Sequence, residues 1–299
     1  MVAVIGASSA GLLSAYLLAS AKIPVQVLEA RPEFEPEERT LIATHALCDI
    51  LEFDFSTTIL NRITNFRLHT KGQTVTIPVS KPDLVIERRA LLKLLLGNAS
   101  SVGAKILLGC KVKEVKAYFD HVKITAEKDG TLQDFFCDYV IVASGVQSVR
   151  GSSEIEGQYK TVGICQVRVD MPEYGNTDTV DIWFDTQTTK FFYWLIPEGI
   201  DMGVVGVIAE TKEKAEFILD EFVKKNRMNV RQRQKADIVP LPPLVMKSKY
   251  KKDGRILFAG DSCAQVKATT VGGLVSGLKG GIACARSILA GRPVDEFLK

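Results

Sequence analysis

No CxxC pair occurs in this sequence. Its six cysteines (Cys48, Cys110, Cys137, Cys165, Cys263 and Cys284) are scattered, which argues against a disulfide framework and against a thiolate zinc site. Histidine is scarcer still, and His45, His69 and His121 have no metal-ligand spacing, so no metal is expected. Long apolar runs are missing too: the longest break well short of the ~20 residues a membrane span needs. The N-terminus carries no basic region ahead of its first apolar stretch, as a signal peptide would. Neither sign of charge dominates, since 38 basic against 35 acidic residues leave a net charge of only +3, too little to imply nucleic acid. What is present is 299 residues, 46% hydrophobic, enough for a full core and too apolar for disorder. The expectation is a reduced, cytosolic, globular protein of one large domain or two closely joined ones.

The first thirty residues carry the most organisation. Met1 to Ile5 is a short apolar run of the size of a buried parallel strand. The turn GASSAG (Gly6 to Gly11) then opens a helical pattern, and Ile23 to Leu28 reads as a second strand ending at Glu29. Strand, glycine turn, helix, strand and acidic end make a nucleotide-binding βαβ unit. Residues 63–79 alternate around Lys71-Gly72, which predicts a hairpin, and 84–96 read as a strand end running into a helix. Several strands are expected over 105–142, an antiparallel sheet over 161–209 and a helix over about 211–227. GRILFAGDS (Gly254 to Ser262) gives another buried strand, followed by a last, glycine-rich helix. Nucleotide-type elements at both ends imply an α/β, Rossmann-like first domain closed by the C-terminal segment. Residues 1–62, 81–160 and 245–299 are assigned to it, and 63–80 with 161–244 to an inserted antiparallel-sheet substrate domain.

In the turn, Gly6 permits the tight bend and Gly11 lets the helix pack on the strand, so that amides at the helix start can receive a pyrophosphate. Ser8 stands where glycine usually lets the backbone approach the phosphates; serine is small and can donate a hydrogen bond. Glu29 lies about twenty residues on, where a carboxylate can accept from a ribose diol. This fingerprint by itself leaves NAD and FAD both open.

At the other end, GRILFAGDSCAQVKATTVGGLVSGLKGG resembles the second fingerprint of the group A flavoproteins. In that class the aspartate of a strand-ending Gly-Asp meets the FAD ribitol, and a helix N-terminus points at the flavin ring. The matching residues here are Gly260-Asp261 and Gly272-Gly273-Leu274. Within the class the chain most resembles the geranylgeranyl reductases, including the archaeal digeranylgeranylglycerophospholipid reductases. Val266-Lys267-Ala268-Thr269-Thr270-Val271-Gly272-Gly273 has that family's VK-x-TT-x-GG character, with alanine where proline is common. ERRALLKLLL resembles its Arg-x-x-Phe-Asp-x-x-Leu, with Arg89, Leu92, Lys93 and Leu96 as the matching residues. Phe192-Tyr193-Trp194 resembles its aromatic-x-Trp signature before Gly-x-Gly, except that Gly203 is followed late by Gly206.

The resemblance implies FAD as cofactor, with contacts from Gly6, Ser8, Ser9, Ala10, Gly11, Glu29, Ala30, Arg31, Leu47, Cys48, Arg89, Val112, Ser144, Gly145, Gly260, Asp261, Gly272, Gly273 and Leu274. It also places Cys48 near the flavin as a catalytic candidate, against the plainer reading of a small buried hydrophobe. Family members continue into a further C-terminal domain, whereas this sequence ends after the last FAD helix. Aromatic hydroxylases of the class carry Asp-Gly after the strand that here ends at Ala143. This chain has Ser144-Gly145 followed by Val146-Gln147-Ser148-Val149-Arg150, which argues against an NADPH-dependent hydroxylase. Flavin halogenases rank third, because YWLIP echoes their Trp-x-Trp-x-Ile-Pro with Phe192 in place of the first tryptophan.

For the insert, Trp183, Phe192 and Trp194, with Phe184, Phe191 and Tyr193, offer a pocket for a polyprenyl chain; the alternative is that alternate members are core. Two basic runs (Lys224, Lys225, Arg227, Arg231, Arg233, Lys235; then Lys247, Lys249, Lys251, Lys252, Arg255) read as solvated faces or as docking sites. The partners they suggest are anionic lipid head groups, at the periphery of a membrane, or a ferredoxin-like electron donor. Stacking aromatics are not interleaved with them, so nucleic acid is not expected. The function expected is FAD-dependent reduction of C=C bonds in a geranylgeranyl or other isoprenoid or lipid substrate. The alternatives are a flavin monooxygenase or halogenase of an aromatic substrate, and a non-enzymatic FAD-binding remnant or sensor.

Overall fold

The computed structural model describes residues 1–146, 160–241 and 254–298. Gln147 to Arg150 and Lys247, Lys249, Lys251 and Lys252 lie outside the described residues. In chain order the first elements are β1 (Val2–Ile5), α1 (Ser9–Ser20), β2 (Val25–Leu28), β3 (Thr40–Ala43), α2 (Ala46–Ile50), β4 (Ile59–Thr70), β5 (Gln73–Glu87) and α3 (Arg88–Ser101). Then come β6 (Lys105–Leu107), β7 (Lys111–Ala117), β8 (Val122–Lys128), β9 (Thr131–Cys137), β10 (Tyr139–Val142), β11 (Thr161–Asp170) and β12 (Thr179–Trp183). The last are β13 (Tyr193–Pro197), β14 (Met202–Ala209), α4 (Lys212–Lys225), β15 (Val230–Pro240), β16 (Ile256–Phe258) and α5 (Leu274–Ala290).

The chain divides into two compact units. The first comprises Met1–Glu35, Leu92–Lys160 and Pro240–Lys299. Its parallel sheet runs in the order β16-β10-β1-β2-β6, so a strand near the C-terminus pairs beside the N-terminal βαβ unit. A strand buried on both faces needs a continuous apolar run, which Val2-Ala3-Val4-Ile5 and Tyr139-Val140-Ile141-Val142 supply. Ala3, Ile5, Val140 and Val142 face the antiparallel β7-β8-β9 sheet through Val115, Val122, Ile124 and Ala126. Each fully buried Val, Leu or Ile there contributes about 1.5–3 kcal/mol. Helices α1 and α5 pack on one another. No helix among the described residues is long and apolar enough to cross a membrane.

The second unit, Pro36–Leu91 with Thr161–Val239, holds an eight-stranded sheet in the order β15-β11-β14-β13-β12-β4-β5-β3. Residues 36–62 and 81–91 belong here, whereas the sequence reading placed them with the first domain. The reason is pairing: β3 and the far end of β5 form an antiparallel ladder from Thr40↔Glu87 to Ala43↔Leu84. The Lys71-Gly72 turn closes the β4–β5 hairpin in two residues, with Gly72, the second of them, at φ +82°, a left-handed conformation that favours glycine. Helix α4 starts at Thr211, whose side chain accepts from the Lys214 amide at 3.1 Å, and it covers one face of the sheet. Residues 230–240, read from sequence only as part of a basic run, form an edge strand.

Candidate functional site

In the first unit, the residues singled out from sequence gather at the carboxyl edge of the parallel sheet, where open α/β sheets bind ligands. Gly6 leaves β1 at φ +94°, and a Cβ there would lie 2.6 Å from the Ala143 carbonyl oxygen and 3.0 Å from the Ser144 Cα. Only glycine lets the β1–α1 turn and the Ser144-Gly145 segment come this close. Ser8 caps α1, its Oγ accepting from the Gly11 amide at 3.3 Å. The helix therefore begins with Ser9-Ala10-Gly11, and Ala10 and Gly11 are buried.

Glu29 closes β2 and is buried to 6% exposure. One carboxylate oxygen accepts the Ala7 amide at 2.8 Å; the other accepts the Arg31 amide at 3.1 Å and the Arg31 Nε at 2.8 Å. Burial pushes its carboxyl up, but the Arg31 guanidinium and the two amides outweigh burial and hold it below the usual carboxylate range. Glu29 is thus an ionised acceptor at neutral pH. Its neighbour Ala30 is exposed. The Cys110 amide donates to the Glu29 carbonyl at 2.8 Å, which brings the start of β7, and Val112 at a bulge within it, toward the same edge.

The segment from Gly260 to Gly273 forms the far side of this edge. Asp261 Oδ1 lies 2.9 Å from where a Cβ on Gly273 would stand, so the carboxylate abuts the start of α5. Gly272 is exposed, and Gly273 and Leu274 are half-buried. A residue that the sequence reading did not single out holds the segment together. Gln265 Oε1 accepts the Gly260 amide at 2.7 Å, its own amide donates to the Gly260 carbonyl at 3.1 Å, and its carbonyl accepts Ser276 Oγ at 2.6 Å. The Gln265 carboxamide lies in the space that a side chain on Gly280 would fill. The sequence signal for it was the run Gly273, Gly277, Gly280, Gly281 in a helix, where repeated glycine marks close approach.

The other predicted residues belong to the second unit. Leu47 is fully buried on α2, and Cys48 beside it is half-buried. Arg89 is tied within its own unit, its Nε donating to the Pro36 carbonyl at 2.7 Å and its Nη1 3.2 Å from Glu38. The three aromatics expected to share a pocket are split between two sheet faces. Trp183 shares a face with Tyr193, on the side of α4, and both meet Phe222 of that helix, Tyr193 stacked at 4.4 Å. Trp194 lies on the opposite face with Phe192 (6.1 Å between ring centroids), and Phe192 with Phe184 (5.9 Å). The period of two along the strand forces this division. Trp194 is 7% exposed, and its buried Nε1 has no partner among the described residues. Its indole lies over Gly206, its cross-strand partner, where any Cβ would collide with it, so the late glycine of the signature makes room for the tryptophan.

The first basic run is less free than it looks in sequence. Arg231 pairs with Asp170 at 2.6 Å and Arg233 with Asp220, while Lys224 and Lys225 lie in the last turn of α4 and Arg227 just beyond it; the Lys235 side chain lies outside the described residues. Cys110 and Cys137 are core residues, and burial pushes the Cys137 thiol up to about 11.

A family model described as FAD binding domain matches residues 1–289. A protein named digeranylgeranylglycerophospholipid reductase 2 from Methanosphaera stadtmanae is 25% identical over 215 residues, 69% of this chain and 54% of that protein. One named digeranylgeranylglycerophospholipid reductase from Methanococcus vannielii is 24% identical over 245 residues, 76% of this chain and 61% of that one. The chain thus spans little more than half the length of these relatives. Among solved structures, a geranylgeranyl bacteriochlorophyll reductase-like protein from Thermoplasma acidophilum superposes with a TM-score of 0.82 at 17% identity, over 99% of this chain and 81% of its own. The flavin-dependent halogenase CmlS superposes at 0.72 and 18% identity, over 99% of this chain and 60% of its own.

Proposed function

The chain belongs to the FAD binding domain family, and from that premise we propose that it reduces carbon–carbon double bonds of a geranylgeranyl or other isoprenoid lipid. The residues at the carboxyl edge of the first unit fit FAD. Glu29 has four lone-pair directions and uses them on two amides and one guanidinium N–H, which leaves capacity for ribose hydroxyls. The amides of Ser9 and Ala10 are at a helix start and suit a pyrophosphate, with Gly11 held by the Ser8 cap behind them. Asp261 is placed to accept ribitol hydroxyls, and the α5 N-terminus at Gly272-Gly273-Leu274 favours negative charge on the flavin edge. Bound there, FAD supplies hydride chemistry.

The observation that carries the substrate reading is the sheet face opposite α4. Phe184, 43% exposed, and the half-buried Phe192 give that face its open aromatic surface, beside the buried Trp194 and Ile196, and such surface gains about 25 cal/mol per Å² on covering a hydrocarbon. The names of the relatives agree with such a substrate. The test is a mass-spectrometric search for lipids that gain two hydrogens on anaerobic incubation with the chemically reduced protein. If no lipid gains hydrogen while NADPH and oxygen support turnover of an aromatic compound, the monooxygenase or halogenase reading takes its place.

Two outcomes follow for the chemistry. NADPH alone is expected to reduce the flavin slowly or not at all, because Ser144-Gly145 stands where the hydroxylases keep Asp-Gly. A ferredoxin-like carrier or dithionite should be faster, and stopped-flow absorbance separates the cases; stoichiometric reduction by NADPH within seconds would reverse the assignment. Cys48→Ser is expected to leave FAD bound and to change turnover or the number of double bonds reduced. The same change at Cys110 or Cys137 instead costs stability, because a hydroxyl would enter the core. Wild-type rate and product pattern in Cys48→Ser would return Cys48 to a packing role.

A further inference from the structure

The β4–β5 hairpin of the second unit is used by none of the chemistry above. Between Arg62 and Pro82 the sequence holds Arg62, Arg67, Lys71 and Lys81 and no carboxylate. Its pairing register separates two faces. Phe66 with Ile77 and Leu68 with Val75 point to one side, Arg67 with Thr76 and His69 with Thr74 to the other. On the polar side Arg67 and His69 both bond the buried Asp181, at 2.8 and 2.6 Å. The apolar side is open along β5, where Val75 is 56% and Ile77 46% exposed, while Phe66 and Leu68 on β4 are half-buried. Lys71 in the turn, Lys81 in the irregular stretch of β5 between Pro78 and Asp83, and Arg62 opposite Leu84 are exposed as well. The outer edge of β5 is paired only at Leu84 to Glu87, so residues 73–83 have no neighbouring strand on that side among the described residues.

We propose that this hairpin docks the protein on an anionic lipid bilayer. Val75 and Ile77 enter the boundary between head groups and acyl chains, while Lys71, Lys81 and Arg62 reach the lipid phosphates. The charge pattern selects this occupant. Cations of one sign flank an uncharged apolar stripe, the arrangement by which interfacial elements combine burial with attraction to anionic lipid. Lysine suits the flanks because its stem lies along apolar surface while the ammonium stays in water. Strand addition by a second protein is opposed by Pro78 and Lys81 along the open edge. Two apolar side chains make a weak anchor, so docking is reversible and needs both parts. Nothing in this proposal depends on the reductase reading, because docking is measured without turnover.

Co-sedimentation of the FAD-loaded protein with vesicles tests it, using phosphatidylcholine alone and phosphatidylcholine mixed with phosphatidylglycerol. The wild type is expected to partition at least about tenfold better onto the mixed vesicles, and less so as salt rises. Val75→Thr with Ile77→Thr, which keeps β-branched shape at exposed positions, should lose about tenfold in partitioning. Lys71→Gln with Lys81→Gln should do the same on mixed vesicles only. Both double variants should keep the wild-type flavin spectrum and melting temperature. Equal binding to both vesicle types, or double variants that bind as the wild type does, overturns the proposal. So does a Val75→Thr, Ile77→Thr variant that still binds vesicles but changes from dimer to monomer by light scattering, since the stripe would then join two copies.

Discussion

Replacing Glu29 by alanine is expected to weaken FAD binding by about 1.5–3 kcal/mol, roughly ten- to 150-fold in Kd. The size follows from what the carboxylate does. It is ionised although 6% exposed, and it holds the Ala7 amide and the Arg31 side chain at the edge where β1 and β2 end. Alanine removes the acceptor for the ribose diol and also leaves the Ala7 N–H without its partner. Glu29→Gln keeps one acceptor oxygen and should fall between the two. The pH dependence has a definite sign. The carboxyl is held below its ordinary value of 4.5 in the folded chain, so its contribution is complete above 4.5 and is lost as pH falls through the lowered value. Flavin affinity should therefore persist to a pH below the usual carboxylate range in the wild type. Flavin fluorescence titrations measure both effects, and an unchanged Kd in Glu29→Ala would remove Glu29 from the cofactor site.

The parts of this architecture legible in the sequence are those set by local period and turn chemistry. The β1–α1–β2 unit, the Lys71-Gly72 turn, the strand before Gly260 and the last helix all follow from short apolar runs and positioned glycines. The grouping of residues 36–62 and 81–91 was not legible, because it depends on β3 finding β5 across about forty residues, which no local pattern encodes. Strand β15 was hidden for a different reason. Its arginines read as a solvated basic face, yet Arg231 and Arg233 are neutralised by Asp170 and Asp220 from other elements, and Gln234 is 4% exposed, bonded to Gln166. For the candidate site, the fingerprint positions were found because each is a backbone requirement. Gln265 was missed because its role lies in side-chain contacts with Gly260 and Gly280 that have no fixed spacing. The aromatic cluster shows the same limit: composition indicated an apolar surface, and only the register separates Trp183 from Trp194.

Two adjacent glycines of α5, Gly280 and Gly281, are expected to respond to alanine in opposite ways. On helix propensity alone either change would stabilise by about 0.8–1 kcal/mol. At Gly281 the new methyl meets the backbone carbonyl of Ala10 in α1, which cannot turn aside, so the two helices must separate. Overpacking of this kind costs about 1–3 kcal/mol, occasionally more, and Gly281→Ala should lower the denaturation midpoint despite its propensity gain. At Gly280 the nearest atoms to the methyl are the end of the Gln265 side chain, which can swing out. The helix then keeps its gain and global stability changes little, but the Gly260 amide loses an acceptor held at 2.7 Å. The segment that carries Asp261 loosens, and FAD affinity falls by the cost of an unpaired amide, about 1–3 kcal/mol. A double-mutant cycle separates the two mechanisms. Gly280→Ala should add nothing to the FAD affinity already lost in Gln265→Ala, because the bond it breaks is gone. Gly281→Ala should lower stability equally in both backgrounds. If Gly280→Ala instead destabilises the fold as Gly281→Ala does, or stays fully additive with Gln265→Ala, then Gln265 packs against α5 without holding the Gly260–Asp261 turn.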